Sequence, residues 1–129
     1  MRILVISQYF YPENFRINDL CFGLIEKGCE VTVFTGKPNY PKGNFFKGYG
    51  YFSKGSEIIN EIKVIRSNLV PRAKGSGLSL FINYISFVLF GAFKLFLLKG
   101  KYDKILIYAP SPITGGFLGI LASIIFRAK

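Results

Sequence analysis

The sequence contains no histidine and no tryptophan, and only two cysteines, one methionine and seven acidic residues among 129. Without histidine, and with its two cysteines separated, a zinc site lacks ligands, and the few carboxylates are too scattered to suggest a calcium or magnesium cage. Neither a metal nor a cofactor is expected. Cys21 and Cys29 lie eight positions apart along a predicted helix and its end, which at about 1.5 Å per residue is roughly 12 Å, beyond the ~7 Å that a disulfide spans. Both are expected to be reduced, with Cys21 in the core. The N-terminus offers Arg2, a four-residue apolar run and no small-residue cleavage site, so a secretory leader is not expected and the chain is placed in the cytosol. No internal repeat or low-complexity segment interrupts it.

Apolar and basic residues are plentiful. Half the residues are hydrophobic and 17% aromatic, enough to bury a core and to argue against disorder, in a length that suits one domain. Seventeen Lys and Arg against seven Asp and Glu give a formal charge of +10, which draws a polyanion, either nucleic acid or an anionic membrane face. Charge alone does not choose between them. No RNA-recognition motif is present, so nucleic acid is not the expected partner.

Periodicity sets out the elements. RILVIS reads as a strand buried on both faces. A helix follows over about Phe15 to Lys27, its apolar Ile17, Leu20, Cys21, Leu24 and Ile25 recurring at helical spacing, with Asn14 as N-cap and Gly28 at C′. EVTVFT, Glu30 to Thr35, is the second strand, and a long loop rich in Gly, Pro, Lys and aromatics leads to a third at Lys63 to Ser67. Beyond KGSG and a long apolar stretch, KILIY is the fourth strand, followed by a helix over about Ile113 to Phe126. This order predicts an α/β fold, a Rossmann-like open parallel sheet with strand order 3-2-1-4 and a right-handed first crossover. Ligands in such sheets bind beyond the carboxyl ends of the strands. Gln8 to Asn14, Gly36 to Gly43, Asn68 to Pro71 and Ala109 to Thr114 should therefore meet on one edge.

Leu78 to Leu98 is close to the ~20 residues needed to cross a bilayer. On a helical wheel Ser79, Asn83, Ser86 and Lys94 make one narrow polar stripe, and nearly everything else is apolar. Three placements follow: a helix in the membrane interface that also covers the sheet, a plain buried crossover, or a true span. A span would put KILIY across the membrane from RILVIS and EVTVFT, so continuity of the sheet argues against it. Arg72 and Lys74 before the segment, Lys94 within it, and Lys99 and Lys101 after it would suit anionic headgroups, or merely solubilise loop ends. Phe45, Phe46, Tyr49, Tyr51 and Phe52, interleaved with Lys42, Lys47 and Lys54, would dip into lipid, stack on bases or fold onto the core.

Three stretches, SQYFYPENFRINDL after the first strand, TGKPNYPKG after the second and PSPIT after the fourth, together resemble the N-terminal domain of bacterial polysaccharide glycosyltransferases of the GT-B fold. The subgroup is that of the L-fucosamine-type transferases of O-antigen and colanic acid synthesis, and the likeness runs the length of the chain. It implies the acceptor-side half of an enzyme whose other Rossmann-like domain holds most of a nucleotide-sugar donor. The remaining sheet strands and that donor domain are absent from residues 1–129, so this acceptor-side domain is expected to be incomplete and inactive alone. It is then either a fragment of a truncated gene or one half of a two-chain enzyme, with the donor domain on a separate partner chain. The alternatives are a non-catalytic membrane-binding module and, less favoured, a basic nucleic-acid binder. The implied partners are the donor, a lipid-linked sugar acceptor and an anionic membrane surface, at the cytoplasmic face of the cell membrane. Glu13, Asn14, Arg16, Asn39, Tyr40, Ser111 and Thr114 become the candidate cleft residues, in binding rather than catalytic roles. The first loop, lacking glycine, would then touch sugar hydroxyls or donor phosphates instead of wrapping a dinucleotide. Against this stand the plainer readings: Glu13 and Arg16 as solvated charges, Asn14 as a cap and PNYP as a turn with a packing tyrosine.

Overall fold

The computed structural model describes residues 1–53, 55–110 and 113–129; Lys54 and the candidate Ser111 lie outside the described residues. Among the described residues eight elements follow in order: β1 (Arg2–Ser7), α1 (Arg16–Glu26), β2 (Glu30–Gly36), β3 (Ser56–Ile59), β4 (Ile62–Ser67), α2 (Gly77–Leu97), β5 (Lys104–Tyr108) and α3 (Gly115–Phe126). They build a mixed, mostly parallel five-stranded sheet of Rossmann-like kind, in the order β3-β4-β2-β1-β5.

That order differs from the expected 3-2-1-4. A fifth strand, β3, adds antiparallel to β4 at the edge, pairing Ser56 with Ile65 and Ile59 with Ile62. Asn60 and Glu61, both at positive φ, turn the hairpin. Asn in that first position is a recognised hairpin signal, but Glu fills the second, where glycine is usual, so the turn is hidden in what reads as a long loop. The remaining pairs are all parallel: β1 with β2, β1 with β5 and β2 with β4.

Helices cover both faces. α1 packs Ile17 and Cys21 with Ile3, Val5, Val31, Val33, Ile62 and Val64. α2 and α3 lie on the other face, where Phe87, Leu95, Leu118 and Ala122 meet Leu4, Ile6, Phe34 and Ile65. Crossovers of one hand demand this arrangement, because the chain moves outward from β1 to β2 and β4, then returns across the sheet to β5.

Helix ends separate successful local signals from a failed one. Gly28, at φ +79°, closes α1 with its N–H on the Ile25 carbonyl and the Cys29 N–H on that of Leu24, the paired bonds of a Schellman turn. Ser76 caps α2, accepting from the Ser79 N–H. Asn14 does not cap α1: the cap position is Phe15, without a side-chain bond, and Asn14 is exposed. Asn18 ties the first turn down instead. Its amide donates to the Glu13 carbonyl at 2.8 Å and accepts from the Tyr11 N–H at 3.0 Å.

α2 is turned with its polar stripe inward. Asn83 and Ser86 are buried, while Phe81, Leu89, Phe93 and Phe96 are exposed. Asn83 accepts from Gln8 Nε2 at 2.8 Å and donates to the Val70 carbonyl at 2.6 Å. Ser86 accepts from the Val70 N–H at 2.8 Å. These bonds satisfy the backbone where the chain leaves β4 and hold α2 on the sheet. By length and composition α2 alone among the described helices is apolar enough to cross a membrane, yet it is packed against the sheet whose β5 pairs with β1.

Candidate functional site

The carboxyl edge is assembled around Glu13. A turn places the Glu13 N–H on the Phe10 carbonyl, and the side chain points inward, 2% exposed. Its Oε1 accepts from the backbone N–H groups of Asn39 and Tyr40 at 2.9 and 2.8 Å, and its Oε2 from that of Phe10 at 3.4 Å. Burial pushes its pKa up to about 7, against the pull of these N–H groups and of Arg66. One carboxyl group thus joins the loop after β1 to the loop after β2. Asn39, also buried, extends the chain of bonds: its amide donates to the Lys37 carbonyl at 3.0 Å, and its Oδ1 accepts from the Arg72 N–H at 3.1 Å. Glu13 and Asn39 are therefore framework, not ligand-facing groups.

Beside this framework lies a cluster of aromatics, Tyr9 buried and Tyr40 exposed. Tyr9 and Phe15 stack with centroids 4.6 Å apart, and Tyr40 closes on both at 5.9 and 5.2 Å. The Arg72 guanidinium lies over the Tyr40 ring at 4.9 Å, its Nη1 donating to the Tyr9 hydroxyl at 3.4 Å. Burial raises the Tyr9 pKa, leaving the phenol neutral, a donor and acceptor. With Tyr84 from α2 and Pro110 after β5, these side chains enclose a recess of about 230 Å³. It receives residues from the trailing segments of all four parallel strands. The chain's direction across the sheet reverses between β1 and β5, and the trailing segments of both contribute to the recess; open α/β sheets hold ligands at such a reversal.

Of the sequence candidates, Glu13, Asn39 and Tyr40 come together here. Asn14 and Arg16 are exposed and make no side-chain hydrogen bond or ion pair with the described residues. Thr114 stands at the start of α3 with no cap bond, and its buried Oγ1 has no partner among the described residues. Two of the residues expected at a membrane face, Arg72 and Lys94, also make contacts within the protein. Arg72 is spent on the rim, over Tyr40. Lys94 turns toward the sheet and donates to the carbonyls of Arg66 and Gly55 at 2.5 and 3.1 Å. Lys74, Lys99 and Lys101 are exposed. Of the loop aromatics, Tyr49 folds inward against Arg66, while Phe52 stands fully in solvent.

Tyr9 belongs to the first loop expected on this edge, whereas Phe15 and Tyr84 are not among the expected site residues. The clustering of aromatics around the first loop marks Phe15; nothing in the sequence marks Tyr84, which α2 supplies. No protein-family model matches the chain, and comparison with curated proteins returns no match.

Proposed function

We propose that this chain is the acceptor-side domain of a membrane-associated glycosyltransferase. It receives a lipid-linked sugar, and a second domain, on the same chain or another, holds the nucleotide-sugar donor. The observation that carries the reading is the recess of Tyr9, Phe15, Tyr40 and Tyr84 with Arg72 at the switch point of the sheet. A sugar offers flat C–H faces and a ring of hydroxyls; aromatic walls with a few fixed polar groups suit the two together. Glu13 positions Tyr40 through the backbone and takes no part in transfer. Catalysis would rest on holding the acceptor hydroxyl toward the donor and on donor-side stabilisation of the leaving diphosphate.

The test is sugar-dependent binding. Bilayer nanodiscs carrying a polyprenyl diphosphate sugar should bind the chain about tenfold more tightly than nanodiscs carrying the bare polyprenyl diphosphate, with Tyr40→Ala and Arg72→Ala each abolishing the difference. Equal affinity for both lipids would overturn the reading. A second reading, a membrane-binding module without transfer activity, is favoured by the apolar outer face of α2 and α3, and equal affinity for the two lipids is what it predicts.

A further inference from the structure

A second cleft, of about 520 Å³, opens on the α2 face between β4, the segment after β2 and the outer side of α2. Three cations line it: Lys37, Arg66 and Lys94. Lys37 is 2% exposed, yet among the described residues its ammonium donates to one group, the Gly50 carbonyl at 2.6 Å. Arg66, fully buried, pairs with Glu57 at 2.6 Å, also donates to the carbonyls of Gly36 and Tyr11, and lies over the Tyr49 ring. Among the described residues the ion pairs are Arg66–Glu57 and the distant Arg2–Asp103, so Lys37 and Lys94 have no carboxylate partner.

An unpaired buried ammonium is costly, and a buried charge is as a rule paired or hydrogen-bonded, so an anion would be held strongly here. Burial, with the neighbouring charges of Lys94 and Arg66, lowers the pKa of Lys37, and burial lowers that of Lys94. The mouth of the cleft is the opposite in character: Phe90, Phe93 and Leu97 of α2 line it and continue onto the exposed apolar face of the helix. Two ammonium groups at the floor, held by backbone carbonyls but without a carboxylate among the described residues, and hydrocarbon at the rim describe one kind of occupant.

We infer that this cleft binds the phosphate of an anionic membrane lipid, seated on Lys37 and Lys94, with the acyl chain leaving over Phe90, Phe93 and Leu97. The site is separate from the aromatic recess. Tyr84 of the recess and Lys94 of the cleft are ten residues apart on α2, roughly 15 Å at helical rise. Lipid is therefore held beside the sugar pocket rather than in it, and neither site depends on the other.

Co-sedimentation of the full chain with vesicles tests this, using phosphatidylcholine alone and phosphatidylcholine doped with phosphatidylglycerol. Diffuse attraction makes all lysines alike, each contributing about fivefold. The cleft predicts that Lys37→Met weakens binding to the doped vesicles by more than about tenfold, whereas Lys99→Met costs at most the diffuse fivefold and binding to pure phosphatidylcholine is unchanged by Lys37→Met. Lys37→Met should also melt no lower than the parent, because it removes an unpaired charge; Lys37→Gln, which keeps a donor for Gly50, repeats the measurement if the Met variant unfolds. Equal losses for Lys37→Met and Lys99→Met would overturn the inference. So would Lys37-dependent stabilisation by inorganic phosphate without Lys37-dependent vesicle binding, which would mark a soluble-anion site.

Discussion

The Glu13 carboxyl serves three backbone N–H groups on two loops, so its removal is felt as orphaned donors rather than as lost charge. Glu13→Ala should destabilise the chain by about 3 kcal/mol in denaturant titration, since each buried donor left unpaired costs about 1–3 kcal/mol. Glu13→Gln, which keeps an acceptor for Asn39 and Tyr40, should cost markedly less. The sign of the pH effect follows from the raised pKa. A carboxyl that holds its proton more tightly when folded contributes stability in full below about 4.5, its ordinary value, and loses it as pH rises through about 7. Glu13→Gln should flatten stability across that window. Of the site, the sequence showed which loops would meet and that Tyr40 would be among them. It did not show that Glu13 and Asn39 would turn inward, because a polar residue in a loop has no periodicity to reveal its direction. Nor did it show that Arg72, five residues past its strand, would reach Tyr40, since that contact joins loops 32 positions apart.

At the level of elements, two glycines set how closely the helices approach. A Cβ on Gly119 would stand 2.2 Å from Ile107 Cδ1, and one on Gly91 would stand 2.8 Å from Leu118 Cδ1. Gly119→Ala should therefore destabilise by about 1–3 kcal/mol despite its better helix propensity, and pairing it with Ile107→Ala should recover part of the loss in a double-mutant cycle. Asn83→Leu would make α2 more uniformly apolar and should still cost about 2 kcal/mol, because Gln8 Nε2 and the Val70 carbonyl both lose their partner. Strands and helices with strong periodicity were legible to within a residue or two, as with Glu30–Gly36 and Gly77–Leu97. β3 was not, because Ser56–Ile59 is short and half exposed and its turn lacks glycine. The stripe of Asn83, Ser86 and Lys94 was visible on the wheel; that it faces the protein follows only once the loops after β4 are seen to need hydrogen-bond partners there.

For the molecule as a whole, the exposed apolar side chains of α2 and α3 form one side of the protein. Phe93, Phe96 and Leu97 are each about two-thirds exposed, as are Phe117 and Ile124. An apolar face of this extent is expected to self-associate in plain buffer and to be dispersed by detergent or vesicles, as light scattering would show. Phe96→Gln with Ile124→Gln should cut association with neutral vesicles by at least about tenfold, while changing folding stability by less than about 0.5 kcal/mol each, as surface substitutions do. Unchanged association would place the contact elsewhere on the surface.

Because α2 and α3 cover the same side of the sheet, a chain resting on lipid through them would lie like a tile, its strands running along the bilayer plane. The aromatic recess then opens sideways. A substrate confined to the membrane would enter by two-dimensional diffusion, while the α1 side stays free for a water-soluble reactant to approach from above.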